Sequence, residues 1–431
     1  MKLVFIIFLI FVVLAQCFVG ISQLIGLYCS GHNTFAMTGT FDNPGPYGGF
    51  IAISLAILGA YVLQNRNAQK CYDKVLVILS LISCALCVVV LPASMSRAAW
   101  LALGIAALFF GLKELRLAAW IRQQNAVAAI ASFFVIIAMA GLFLMKKDSA
   151  IGRLHIWHME LRAIAEAPLS GHGKGTVLGV YGNTQAGYFA EKERPEIITK
   201  VAGCPEYAFN EYLKVGVEYG IPAILGVIAV LIFLMTLLLK FRSPFAYGLI
   251  AFSVFAFFSY PLEAIHIKSE AEKEWESIRY LTSMEFYEDA VEELAPLYGD
   301  LKDNYRYIYD YGYALHKCKR YHESNEILKE GAKISSDPMF YNIIGKNLEA
   351  LGLYEEAEKA YLHAHYMVPQ RLYPLTLLMR MHIRLGNNNE AMIYGKMILD
   401  KPVNERHLTM LQLKSDARHC VDSLMSVNKN I

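Results

Sequence analysis

The sequence has no excess of charge of either sign, and little charge at all. Its 431 residues carry a formal net charge of +2, and 18% are charged against 55% hydrophobic. A chain this close to neutral gives no electrostatic argument for binding nucleic acid. Its composition is also too apolar for an ordinary soluble protein, which directs attention to a membrane.

Two common signatures of metal and nucleotide sites are missing. The eight cysteines include one CxxC pair, Cys84 and Cys87, but it lies inside an apolar run, so we interpret most cysteines as small apolar fillers. His155 and His158 have i, i+3 spacing without a third ligand. The glycine-rich stretch 168–175 lacks the GxxxxGK[ST] spacing of a phosphate-binding loop and is better interpreted as a tight turn. We therefore predict no metal and no cofactor.

The first 264 residues consist largely of apolar runs, of the kind that only a bilayer explains. A membrane span needs about 20 predominantly apolar residues. We predict seven spans: Leu3–Ile25, Tyr47–Leu63, Val75–Val90, Ala98–Leu112, Val127–Met145, Val215–Leu239 and Pro244–Tyr260.

The basic residues predict how these spans are oriented. One set of connections contains Lys2, Arg66, Lys70, Lys74, Lys113, Arg116, Arg122, Lys240 and Arg242. The connection from Cys29 to Pro46 contains no lysine or arginine. The positive-inside rule therefore predicts a multi-pass membrane protein with a cytoplasmic N-terminus, in the inner membrane if the cell is a Gram-negative bacterium. A large polar loop, residues 146–213, and the region after residue 264 would then lie in the periplasm.

The C-terminal region repeats itself. Similar segments begin at Phe286, Arg320, Leu353 and Asn387, at intervals of 33 to 34 residues. This period is typical of tetratricopeptide (TPR) helix pairs. The predicted fold is therefore all-α: a transmembrane helix bundle, residues 1–264, followed by a TPR-type α-solenoid, residues 265–431. Such solenoids bind peptides or partner proteins, although the repeat does not say which.

Three motifs at the predicted outer membrane surface could carry chemistry. Arg97 follows Ser94–Ser96 at the start of a span, Arg153 lies four residues before Trp157, and Asn210–Glu211 precedes the next span. Two arginines converging on one site would make a clamp for phosphate oxygens, and a nearby Glu or His could take a proton from an acceptor hydroxyl. The alternatives are a lipid-headgroup contact for Arg97 and a solvated connector for residues 146–213.

Taken together, these motifs resemble the O-antigen ligase/polymerase superfamily of bacterial membrane glycosyltransferases. The segments that carry the resemblance occur in the family's order, between about Phe18 and Glu263: Gly39–Pro44, Ser96–Ala98, Arg153–Trp157, Pro168–Gly173 and Asn210–Leu213. The resemblance implies a donor glycan linked to undecaprenyl pyrophosphate and a lipid, polysaccharide or protein acceptor. It implies transfer on the periplasmic face, without a nucleotide sugar or an obligatory metal.

The same resemblance implies roles for individual residues. Arg97 and Arg153 match the family's pyrophosphate-binding arginines, and fixed guanidinium groups would stabilise the charge that develops on that leaving group. Family members often have a histidine base immediately before the asparagine of the last motif, where this chain has Phe209. Glu211, His172 or His155 would then replace it, or catalysis would depend on positioning and charge alone. We take Glu211 as the first candidate base, assisted by Asn210.

A second departure concerns length. Family members usually carry several more spans before the Gly39–Pro44 segment, so we expect either a truncated gene model or a divergent short form. The competing hypothesis is a non-catalytic scaffold anchored in the membrane, whose TPR repeats organise envelope proteins. A transporter is disfavoured because the spans show no inverted repeat and little intramembrane charge.

Overall fold

The computed structural model describes residues 2–115, 147–263, 268–402 and 408–429. Within these ranges every regular element is a helix and no strand occurs, which confirms the all-α prediction there. The chain divides into two compact units. The first contains Met1–Ala150, Tyr207–Gly216 and Ile221–His266, and the second contains Ile151–Glu206, Val217–Gly220 and Ile267–Ile431. The second unit thus combines much of the predicted periplasmic loop with the C-terminal region.

The first unit is built from apolar helices. Its complete helices are α1 (Lys2–Leu24), α2 (Pro44–Gln64), α3 (Cys71–Val90), α4 (Arg97–Glu114), α9 (Ile221–Lys240) and α10 (Phe245–Phe258). Two further helices have residues in both units: α5 (Lys147–Glu166) and α8 (Glu211–Tyr219). Helix α2 packs against α3, α4 and α10, so it lies at the centre of this unit.

Four helices in the described ranges are long and apolar enough to cross a membrane: Leu3–Leu24, Pro44–Gln64, Cys71–Ser94 and Ile221–Lys240. Helix α10 is apolar but shorter. The predicted span Ala98–Leu112 corresponds to α4, whose ends include Arg97, Lys113 and Glu114. The predicted span Val127–Met145 lies outside the described residues.

One predicted span begins in the wrong place. The sequence pattern runs without a break from Val215 to Leu239, but α8 ends at Tyr219 and α9 begins at Ile221. Gly220 between them has a φ of +81°, a left-handed conformation that glycine adopts without steric cost and that ends an α-helix. The predicted start at Val215 follows the apolar Val215 and Val217, although Glu218 interrupts that run and Gly220 and Pro222 are helix-stop signals.

The second unit consists of helices that, except for the last, are shorter than most of those in the first unit. They are α6 (Val177–Glu191), α7 (Glu196–Val201), α11 (Glu270–Ser283), α12 (Tyr287–Leu294), α13 (Tyr298–Leu301), α14 (Tyr305–Lys317), α15 (Tyr321–Ile334), α16 (Met339–Ala350), α17 (Tyr354–Met367), α18 (Tyr373–Arg384), α19 (Asn388–Asp400) and α20 (Leu408–Lys429).

The C-terminal helices of the second unit pack in consecutive pairs. Helix α14 packs against α15, α16 against α17 and α18 against α19. The four repeated sequence segments fall at the starts of α12, α15, α17 and α19, so the sequence period coincides with this pairing. At the closest approach of α16 and α17, a Cβ on Gly345 would lie 2.4 Å from the Tyr361 ring. The assignment of these pairs to the TPR type stays a prediction.

Helix α6 packs directly against α15 and α17, the second helices of two successive pairs. Its glycines make this possible, because a Cβ on Gly179 would lie 2.1 Å from the Lys333 carbonyl oxygen and one on Gly182 would lie 2.6 Å from Met367 Cε. Gln185, fully buried on the same helix, donates from Nε2 to the carbonyl oxygens of Met367 and Gly203, the latter at 3.0 Å. Helix α6, which belongs to the predicted polar loop 146–213, is therefore bound to the C-terminal helices by close backbone contact and buried hydrogen bonds.

Candidate functional site

The first unit positions Arg97 at the first residue of α4. Met95, two residues earlier, has a φ of +52°, and Ser94 Oγ donates to the Leu91 carbonyl oxygen at 2.7 Å, which fixes a tight turn before the helix. A Cβ on Gly48 would lie 2.5 Å from Ser94 Oγ, so α2 needs a glycine there to pack against this turn. The half-buried Arg97 side chain donates from Nη2 to Ser149 Oγ at 3.4 Å.

The Gly39–Pro44 segment forms a second fixed turn in the first unit. Gln23, 6% exposed, accepts at Oε1 from the backbone N–H groups of Thr38 at 2.9 Å and Gly39 at 2.8 Å. The Asn43 side chain then caps α2 by accepting from the Gly45 N–H at 2.9 Å. These bonds satisfy backbone donors that would otherwise be unpaired at a turn and at a helix N-terminus. The segment therefore orients the start of the central helix α2.

Asn210 and Glu211 are buried at the start of α8, with exposures of 1% and 7%. Asn210 Oδ1 accepts from the backbone N–H groups of Tyr212 at 3.0 Å and Leu213 at 3.1 Å, so this side chain is the N-cap of α8. The Glu211 carboxylate accepts from the Leu262 N–H at 2.9 Å. The two residues thus have structural partners, and the chemistry that the sequence predicts for them stays a prediction.

Phe209, at the position of the expected histidine, has a φ of +55°. Its ring packs edge to face on Tyr260, with centroids 5.3 Å apart, and Tyr207 stacks on the same Tyr260 at 3.8 Å. Phe209 therefore belongs to an aromatic cluster that fixes the entry to α8. Nearby, the Lys214 ammonium and the Glu263 carboxylate form an ion pair.

The second unit contains the other candidates. Arg153 and Trp157 lie half-buried on α5. His155, 4% exposed, is joined to Gln185 Oε1 by a 2.8 Å hydrogen bond at Nε2. Burial lowers the pKa of His155, since the charged imidazolium loses solvation; the Gln185 hydrogen bond opposes this effect and the charge of His158 adds to it. A neutral, buried histidine bound to a buried amide is typical of a core position.

His172 lies in a glycine-rich turn whose backbone packs against residues 217–220. The His172 N–H donates to the Val217 carbonyl oxygen at 2.8 Å, and the Gly173 N–H donates to the Glu218 carbonyl oxygen at 3.0 Å. Gly171 has a φ of +66° and leaves room only for hydrogen, since a Cβ would lie 2.4 Å from the Glu218 carbonyl carbon. His172 Nε2 donates to the Ala163 carbonyl oxygen at 2.8 Å, which leaves Nδ1 as an acceptor. The predicted tight turn is confirmed.

Sequence reasoning missed a set of polar residues around Tyr188. The guanidinium of Arg194 lies 3.6 Å from the Tyr188 ring centroid, and that of Arg162 lies 5.4 Å from it. Glu191 bridges the two, with carboxylate oxygens 2.7 Å from Arg162 and 2.8 Å from Arg194. These hydrogen bonds and charges lower the pKa of Glu191. No motif marks these residues; the nearest signal is the clustering of charged residues from Glu191 to Arg194.

The candidates fall into two groups. Arg97, Asn210 and Glu211 belong to the first unit, whereas Arg153 and His172 belong to the second. Within the second unit His155 and His172 have separate hydrogen-bond partners. Over the described ranges, no three His, Cys, Asp or Glu side chains are placed to hold a metal ion.

One comparison with known protein families bears on this arrangement. A family model described as O-antigen ligase matches residues 82–228. The matched segment includes the positions of Arg97, Arg153, His172 and Asn210–Glu211, and it excludes Gly39–Pro44 and the C-terminal helix pairs. No curated protein matches the chain. Residues 82–228 are thus similar to O-antigen ligases, a class of membrane glycosyltransferases, and the long apolar helices agree with a membrane protein.

Proposed function

We propose that the protein transfers a glycan from undecaprenyl pyrophosphate to a lipid, polysaccharide or protein acceptor on the periplasmic face of a bacterial inner membrane. The observation that carries the proposal is that the O-antigen ligase match covers Arg97 and Asn210–Glu211, which the structure assigns to one compact unit. The residues 265–431 would recruit the acceptor or an assembly partner.

Arg97 is proposed to bind the donor pyrophosphate. It is the first residue of an apolar helix, and its Nη2 donates a long hydrogen bond, 3.4 Å, to the exposed Ser149 hydroxyl. A bond of 3.4 Å is weak, so exchanging it for a charge-assisted bond to a phosphate oxygen would be favourable. As the glycosidic bond breaks, negative charge grows on the pyrophosphate, and a guanidinium fixed beside it would lower the barrier.

Glu211 is proposed to accept the proton of the attacking acceptor hydroxyl. A general base must be ionised and must be held in place, and the Leu262 N–H provides one fixed hydrogen bond to this carboxylate. Asn210 uses Oδ1 to cap α8, so its role toward the acceptor would fall to the amide Nδ2. His172 is the alternative base, since its Nδ1 is left as an acceptor by the bond from Nε2 to Ala163.

The test is complementation of a host strain that lacks the gene, with surface glycans and glycoproteins compared by gel. Wild type should restore a missing or shortened glycan, and Arg97→Ala should not, at equal amounts of protein in the membrane. Arg66→Ala removes an exposed arginine of the same unit and should restore the glycan fully. Arg153→Ala, tested in parallel, decides whether the second predicted pyrophosphate ligand is needed.

Full activity of Arg97→Ala would refute the proposed role of the arginine. Wild type that changes no glycan would refute the transferase proposal itself and favour the scaffold.

A further inference from the structure

The second unit contains a polar groove between α5, α6 and the glycine-rich turn. Its volume is about 280 Å³, close to the lower end of typical ligand pockets. The lining residues are Arg162, Glu166, His172, Val180, Asn183, Thr184, Gly187, Tyr188 and Glu191. A ligand of about one or two sugar rings would fill a groove of this size.

The charges of the groove disfavour a phosphate ligand. Its ionisable lining includes one guanidinium, Arg162, and two carboxylates, Glu166 and Glu191. Arg162 is already paired with Glu191 at 2.7 Å. Arg194, beside the groove, is also paired with Glu191, at 2.8 Å, so a pyrophosphate would meet no net positive charge, whereas a neutral ligand with many hydroxyl groups would meet carboxylate acceptors and guanidinium donors.

Several lining side chains are held in orientations that suit hydroxyl groups. Asn183 Oδ1 accepts from the Tyr341 hydroxyl at 3.1 Å and is 2.9 Å from His363 Nε2, so its Nδ2 remains as a donor. His172 donates from Nε2 to Ala163, which leaves Nδ1 as an acceptor. Arg194 packs on the Tyr188 ring and limits its motion. Preorganised donors and acceptors around a rigid aromatic ring favour a saccharide.

The glycines of α6 provide an independent observation. Gly179 and Gly182 are explained by their close packing on Lys333 and Met367. Gly187 lines the groove, and a Cβ placed there would meet no atom within 4 Å. Packing therefore does not explain the glycine at this position. A glycine inside a helix costs about 1 kcal/mol relative to alanine, so another reason for it is needed. Glycine does allow a ligand to approach the backbone closely.

We propose that this groove binds a neutral or N-acetylated saccharide unit of the donor or acceptor glycan. The inference rests on the proposed function, because that reaction supplies the glycan. It assigns the sugar, rather than the pyrophosphate, to this groove. The ligand would lie over Gly187, with its hydroxyl groups bonded to Glu166, Asn183 and His172.

Proton saturation-transfer NMR on the full-length protein in detergent tests the proposal. The probes are glucose, galactose, N-acetylglucosamine and N-acetylgalactosamine at millimolar concentration. At least one should receive saturation from wild type, and the signal should fall at least fivefold in Gly187→Phe, whose ring would occupy the groove. Gly299→Phe is the matched control: Gly299 is exposed, helical and open at Cβ, and lies outside the groove.

The blocked variant should keep its fold, because the space above Gly187 is empty. Thermal unfolding checks this, and Gly187→Leu is a second blocking variant. The inference is wrong if no probe is saturated by wild type, if both blocking variants bind as wild type does, or if inorganic pyrophosphate displaces the sugar. Sugar binding without any glycan transfer in cells would refute the proposed function alone, and transfer that survives Gly187→Phe would refute the groove alone.

Discussion

The packing of α6 on the C-terminal helices can be tested by replacing one hydrogen atom. Gly179→Ala places a Cβ 2.1 Å from the Lys333 carbonyl oxygen and 2.3 Å from its carbonyl carbon, where real Cβ contacts are essentially never below 3.0 Å. Both atoms are backbone, so neither can rotate away. Helix α6 would have to move by the difference, 3.0 − 2.1 ≈ 0.9 Å. Overpacking of this kind costs about 1–3 kcal/mol.

Alanine also gains about 1 kcal/mol of helix propensity over glycine, which offsets part of that cost. Gly187→Ala on the same helix gains the propensity without the clash, because its Cβ position is open. The two variants should therefore differ by about 2 kcal/mol in the local stability of α6, or roughly 30-fold in amide exchange. Hydrogen–deuterium exchange of peptides from residues 177–191 measures this difference. Equal protection in both variants would refute the close packing of α6 on the helix pairs.

Three further predictions concern the candidate site and the second unit. Glu211→Gln keeps an acceptor for the Leu262 N–H but removes the proposed base. Glycan transfer should therefore fall at least ~100-fold, while the melting temperature stays near that of wild type. Unchanged transfer would exclude Glu211 as the base. Asn210→Ala removes the N-cap of α8 and should cost about 1 kcal/mol of stability, which Asn210→Asp should restore because it caps equally well. Burial lowers the pKa of His365 to about 3, so the unfolded state takes up the proton first and stability is lost as pH falls below about 6.5. Between pH 6.5 and 5 this costs about 2 kcal/mol, and His365→Gln should flatten that slope in thermal unfolding.

The membrane-spanning helices were predicted well from the length of their apolar runs. Apolar runs of the length of a bilayer located α1, α2, α3 and α9, because membrane burial selects the same residue types along a whole span. The rule placed the start of one span too early, because the apolar Val215 and Val217 precede Gly220, whose left-handed conformation ends α8.

The roles of the candidate site residues stay predictions. Arg97 and Asn210–Glu211 stand out because charged and amide groups are rare beside apolar spans, and the structure assigns them to one unit. The docking of α6 was not foreseen, since it depends on contacts between residues about 180 positions apart, such as Gln185 with Met367. Gly179 and Gly182, at i, i+3, are the signal that could have indicated a closely packed helix face.

The division of the chain into units has a consequence for how such a protein could gain or lose parts. The second unit is assembled from three separate stretches of sequence, with boundaries at residues 150/151, 206/207, 216/217, 220/221 and 266/267. A stop codon near residue 267 would remove Lys333 and Met367, and with them the surface on which Gly179, Gly182 and Gln185 pack. The C-terminal region is therefore not an independent domain that could be replaced without changing α6. Substitutions at the residues of α15 and α17 that contact α6 should therefore covary with substitutions on α6.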